Sequence, residues 1–166
     1  MKRFISFLLV FGLSVCVCSC AAETEKSSFD ILCELLSYAG EKEENAILYS
    51  SLADLGELGY MDDSVRNTLY GEKYTEEYFS LLEEYAIYLS GRQAGEVAIF
   101  KCNSRSDTDV IARMCLERAD TLKVALRGTA LEEKTRSIRT EIHGRFVLFS
   151  FSDRSEEIAE YFFKLV

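Results

Sequence analysis

The chain has 166 residues, no proline and no tryptophan, and its 28 acidic and 19 basic side chains give a formal net charge of −9. That balance excludes a nucleic-acid partner held through its phosphates, which demand a basic footprint. The length suits one domain with a sizeable core, and a single histidine leaves too few ligands for the usual zinc site.

The first elements are Lys2 and Arg3 as a positive head, an apolar run over 4–17, and the small-residue close VCSCAA over 17–22. This is the layout of an export signal, and the run is too short for a comfortable membrane span. Lys2, Arg3 and the polar change at Glu23 argue against a buried first helix of a domain. Three routes are compatible with the pattern: cleavage before a lipidated Cys20, cleavage after Ala22 with plain secretion, and an uncleaved signal anchor. Cys20 fits the first route, with Ser19 as a small residue directly before it, whereas Cys16 and Cys18 each follow a valine.

The sequence therefore divides into a signal peptide over 1–19, a polar tether over 20–28, and a single domain over 29–166. The expected location is extracytoplasmic, with the protein anchored to the cell membrane by the two chains of a diacylglyceryl group on Cys20; secretion is the alternative. Removing 1–19 takes away Lys2 and Arg3 and no acid, so the mature chain carries −11. Anionic headgroups would repel it, which leaves the lipid as its membrane attachment.

Ser28 is placed to cap a first helix with the stripe Phe29, Ile31, Leu32, Leu35 and Leu36, stopped by Gly40. Over 46–61, Leu52, Leu55 and Leu58 suggest a helical turn interrupted by Gly56 and Gly59. Asp62 or Asp63 caps a short helix ended by Gly71, and Thr75 begins another. From Glu84 the period is two: a strand through Leu89, a hairpin over 90–94, and a strand over 95–102 that is apolar on both faces and therefore central. Ser106 or Asp107 caps the longest helix, about 107–127. A strand around Ile138, Thr140 and Ile142, a turn at His143 and Gly144, a strand over 145–152 and a last helix through Ile158, Phe162 and Leu165 close the chain. The fold class is α+β: N-terminal helices followed by a ββαββα unit with a mainly antiparallel sheet.

Several of these segments resemble a family of uncharacterised exported proteins of Gram-positive bacteria. They are YAIYLS (85–90), GEVAIFKC (95–102), SDTD (106–109), RMCLERA (113–119), YMDD (60–63), LYG (69–71) and GRFVLF (144–149). Members of that family carry a domain of unknown function and often look like lipoproteins. The resemblance covers about 29–166 and implies an exported domain; it transfers no catalytic residue.

With Cys16, Cys18 and Cys20 in the signal, Cys33, Cys102 and Cys115 remain, each inside an apolar pattern. They read as buried free thiols, with a Cys102–Cys115 bridge permitted by export. His143 reads as a turn residue without a nucleophile or orienting carboxylate. Asp107 and Asp109 read as helix caps, since the EF-hand glycine and distant glutamate are missing. Arg113, Arg118 and Lys123 read as the solvated face of the long helix, paired with Asp109, Glu117 and Asp120. Among the tyrosines of the first half, Tyr60, Tyr70, Tyr78 and Tyr88 are candidates for a surface patch contacting a protein or glycan.

There is no G-x-S-x-G, no phosphate-cradling glycine loop and no His–Cys pair, so the sequence assigns no catalytic residue, metal or cofactor. The function expected is an envelope binding or accessory module. The rival is a carboxylate-based hydrolase of envelope polymers, which needs a concave acidic cleft with carboxylates on facing elements.

Overall fold

The computed structural model describes residues 26–41, 45–72, 75–91 and 95–166. The export signal, Cys20 and residues 20–25 of the tether lie outside the described residues. Helix α1 (Ser28–Ala39) starts one residue earlier than expected, because the Ser27 hydroxyl accepts the Asp30 N–H as the N-cap. Gly40, at φ 66°, ends it. Ile31, Leu32, Leu35 and Leu36 are buried, as their three- and four-residue spacing requires.

The segment expected to form a helical turn is instead strand β1 (Ile47–Ser50) followed by a loop. Gly56 and Gly59 adopt φ of 90° and 94°, which no α-helix tolerates. Helix α2 (Asp63–Tyr70) is capped by Asp62, whose carboxylate accepts the Val65 N–H, and α3 (Thr75–Ser80) follows. Strands β2 (Leu82–Leu89) and β3 (Glu96–Cys102) form a hairpin.

Helix α4 (Thr108–Leu126) enters through a 3-10 turn (Arg105–Asp107) closed by a Ser104–Asp107 capping box. Asp107 stands at the N-cap position of α4, but its carboxylate accepts the Ser104 N–H instead of capping α4, a correction to the expected cap. Strand β4 (Arg139–His143) pairs with β5 (Phe146–Phe151), and α5 (Ser155–Leu165) ends the chain. Because His143 pairs with Phe146, the loop of that hairpin is Gly144 and Arg145, one residue beyond the expected turn.

The five strands form one antiparallel sheet in the order β1-β2-β3-β5-β4. The α+β class holds, with β1 as an unanticipated fifth strand at one edge. β3 is the middle strand and all seven of its residues are buried, which is what apolar side chains on both faces demand. Helices α1 and α5 cover one face over Ala86, Val97, Ile99 and Leu148. Helices α2, α3 and α4 cover the other over Ile87, Ala98, Phe100, Val147 and Phe149. The α1–α5 layer is locked by stacked rings of Tyr38 and Tyr161, 4.1 Å apart.

Candidate functional site

The four candidate tyrosines do not form a surface patch. Tyr70 and Tyr78 are buried in the α2–α3–α4 core, Tyr88 is buried in the α1–α5 core, and Tyr60 is half-buried. The sheet lies between them, since Tyr88 stands on the opposite face of β2 from Ile87. A tyrosine has an apolar body that fills a core once its hydroxyl finds a partner. Tyr78 donates to Glu117 Oε2 at 3.1 Å.

Tyr70 leads to the most unusual group in the domain. Its hydroxyl donates to Glu96 Oε1 at 2.9 Å, and Arg118 reaches Glu96 Oε2 through both Nε and Nη2 at 2.9 Å. The Glu96 side chain is 2 % exposed and that of Arg118 13 %. The sequence reading of Arg118 as part of a solvated face is therefore corrected. The first residue of β3 carries a carboxylate under α4, and burying it unpaired would cost far more than turning an arginine inward. Lys123 does keep its expected partner, Asp120, at 3.0 Å. Burial and the Glu96 charge push the Tyr70 phenol well above its ordinary range, so it stays a neutral donor.

A second ionic group closes the other end of the β2–β3 hairpin. A bulge at Glu83 sets two β2 residues against Lys101, so both Glu83 and Glu84 face one cation. The Lys101 ammonium is 2.8 Å from Glu83 and 3.9 Å from Glu84 and is buried, with Arg145 also on Glu83. Hydrogen bonds from Lys101 and Arg145 hold the Glu83 carboxyl below its usual range. Glu84 in turn accepts the Ser28 N–H at 2.8 Å, placing a negative charge at the start of α1.

Among the described residues, two concave surfaces stand out. Between α2 and α3 lies a polar cleft of about 560 Å³, lined by Asp63, Arg66, Asn67, Glu76 and Phe79 among others. The Arg66 guanidinium lies 5.5 Å from the Phe79 ring centre and pairs with Asp63, while its buried Nε has no hydrogen-bond partner among the described residues. At the free edge of β1 lies an apolar groove of about 490 Å³, whose lining includes Phe29, Ile47, Leu48, Leu52 and Leu58.

No family model, curated protein or solved structure matches the chain.

The remaining candidates are dispersed. His143 is exposed at the end of β4, with its ring edge against Phe163. Cys102 and Cys115 are buried and unbridged, and Cys33 is exposed. Burial lifts the Cys102 thiol to about 12 and raises Cys115 well above its ordinary value, so neither offers a thiolate. Among the described residues no group of three His, Cys, Asp or Glu is placed to hold a metal ion, and no helix is long and apolar enough to cross a membrane.

Sequence reasoning missed Glu96, Lys101 and the Arg66 cleft. The signal for the first two was present: a charge inside a strand that is apolar on both faces must be buried and therefore paired.

Proposed function

We propose that this protein is an exported binding or accessory module of the cell envelope, anchored through lipid on Cys20 and outside the cytoplasm. Its ligand, a protein or glycan of the envelope, is taken in the cleft between α2 and α3. The resemblance to exported lipoprotein-like domains belongs to the same reading.

One observation carries it: the Arg66 Nε is a buried donor with no partner among the described residues, on the wall of that cleft. Such a donor favours a ligand oxygen that satisfies it. Asn67 adds hydrogen-bonding groups and Phe79 adds an apolar ring, the mixture that orients a polar ligand.

The test is photo-crosslinking in cells from a reactive side chain at Asn67, with Val124 on the distant surface of α4 as control. The reading expects one capture product specific to Asn67, weakened by Arg66→Ala in a chain that still melts cooperatively. Equal capture from both positions counts against it. The anchor is tested by fatty-acid labelling, which Cys20→Ala abolishes; equal labelling of both chains overturns it.

One observation favours a second reading. Asp63 on α2 and Glu76 on α3, with Glu72 between the helices, bring carboxylates to one cleft from facing elements. That is the arrangement a carboxylate-based hydrolase of envelope polymers needs. Release of soluble fragments from isolated cell-wall polymer, lost in Glu76→Gln and kept in Glu156→Gln, would establish it. No release by the native chain would remove it.

A further inference from the structure

We propose that the loop between β1 and α2 is a membrane-seating surface, whose leucines enter the lipid next to the anchor. This rests on the lipid-anchored reading above and adds to it a second point of contact, through the fold itself.

The loop exposes three large apolar side chains: Leu52 is 63 % exposed, Leu55 83 % and Leu58 102 %. Ile47, on the adjoining free edge of β1, is 47 % exposed. The loop is nevertheless a built structure. The Ser50 N–H donates to Gly59 O at 3.0 Å, drawing the two ends together. Ser51 N–H donates to Tyr85 O, Ala53 N–H to Ser50 O and Tyr60 N–H to Glu57 O. The Asp54 N–H donates to the Glu57 carboxylate at 3.0 Å.

Its shape is thus held by backbone bonds, and the leucines are left over, pointing outward. A loop whose backbone is already fixed loses little further backbone order when its leucines are covered, so only the side-chain ordering offsets their burial.

What covers them follows from where the chain enters the domain. Phe29, in the first turn of α1, lines the same groove as Leu52 and Leu58. From Cys20 to Ser28 the chain reaches at most about 29 Å, even fully extended. A diacylglyceryl group on Cys20 therefore holds the start of α1, which borders this groove, within about 29 Å of the bilayer surface, whatever path the tether takes. Charge points the same way. The mature chain at −11 is repelled by anionic headgroups, so any contact that the fold itself adds to the lipid anchor is apolar. Leucines standing out by a side chain's length reach the headgroup–acyl boundary, as amphipathic interfacial segments do.

The chain contains no tryptophan, so Leu58→Trp creates a single fluorescent reporter at the exposed tip. The lipidated full chain is purified from membranes and reconstituted into phosphatidylcholine vesicles with bromine on the acyl chains. The expected result is blue-shifted emission quenched by bromine for Leu58→Trp, and unquenched emission for Val124→Trp on α4. Leu52→Ser with Leu55→Ser in the same chain should reduce the quenching. Because both positions are exposed, the melting temperature should be unchanged.

A labelled, anchored chain with an unquenched Leu58→Trp overturns the loop assignment and leaves the anchor standing. A quenched Leu58→Trp in a chain that takes no fatty acid leaves the loop standing and removes the anchor. Equal quenching at both positions overturns the loop assignment, as does a concentration-dependent blue shift without vesicles, which would make a second copy the cover.

Discussion

Replacing Arg118 with leucine removes the cation that, among the described residues, is alone in pairing with a carboxylate 2 % exposed. Tyr70 would remain as the one side-chain partner of Glu96 among the described residues, through a neutral donor at 2.9 Å. Breaking a buried pair by removing one member costs about 3–5 kcal/mol, because the other charge stays buried and uncompensated. For a domain of this size that is roughly 10–15 °C in melting temperature, at about 3 °C per kcal/mol. Tyr70→Phe removes one charge-assisted bond from the same carboxylate and should cost less, about 1.5–3 kcal/mol.

The decisive variant combines Tyr70→Phe, Glu96→Leu and Arg118→Leu. It deletes the network as a unit, leaves no orphaned polar atom, and should return to within about 1–2 kcal/mol of the native chain. Thermal unfolding followed by circular dichroism measures all of these. If Arg118→Leu lost less than about 1 kcal/mol, or the triple variant were less stable than Arg118→Leu alone, the account of Glu96 as a charge held by its partners would be wrong.

Other consequences can be measured on the same chain. Glu83 is an acid whose carboxyl is lowered from 4.5, first by Lys101 and then by Arg145. A lowered acid adds stability above its usual range that disappears as pH falls through the lowered value, so Glu83→Gln should flatten the loss of melting temperature from about pH 5 to pH 3. An unchanged slope would separate Glu83 from acid stability. Of Cys33, Cys102 and Cys115, only Cys33 should react with a thiol reagent in the folded state, and Cys33→Ser should remove the fast phase. Rapid modification of Cys102 or Cys115 would contradict their burial. Gly56 and Gly59 share φ near 90°, but only at Gly59 would a Cβ meet backbone, 2.9 Å from Leu48 O. Gly59→Ala should therefore destabilise more than Gly56→Ala, and equal losses would mean that the close approach to β1 is absent.

The central strand was legible because its chemistry is one-sided in no direction: Val97 and Ile99 alternate with Ala98 and Phe100, and only a strand covered on both faces permits that. Helix caps at Asp62 and Gly40 were equally plain, since each satisfies local backbone groups. The loop after β1 was not. Leu52, Leu55 and Leu58 recur every three residues like a helix, and only the glycines among them hint that their spacing is decoupled from packing.

The tyrosines failed for another reason: a phenol is as content in a core as at a surface, and only the fold decides which. Tyr70 went inside because Glu96 offered it an acceptor. That pairing joins residues 26 apart in sequence, beyond any local pattern. The Arg66 cleft depends likewise on how α2 meets α3, which periodicity does not encode.

The pairing of α1 with α5 bears on how the chain comes to be folded. Synthesis delivers α1 first and α5 last, yet the two share one layer, with Ile31, Leu32 and Leu35 beside Ile158 and Phe162 over the same face of the sheet. The opening helix must therefore wait, its apolar side unmet, while nearly all of the remaining chain emerges. A chain cut before Ser155 would leave a half-clad sheet, with Val97, Ile99 and Leu148 open on one side. Helix α5 thus supplies half of the cover over that face, and the layer is complete only when α1 and α5 are both in place.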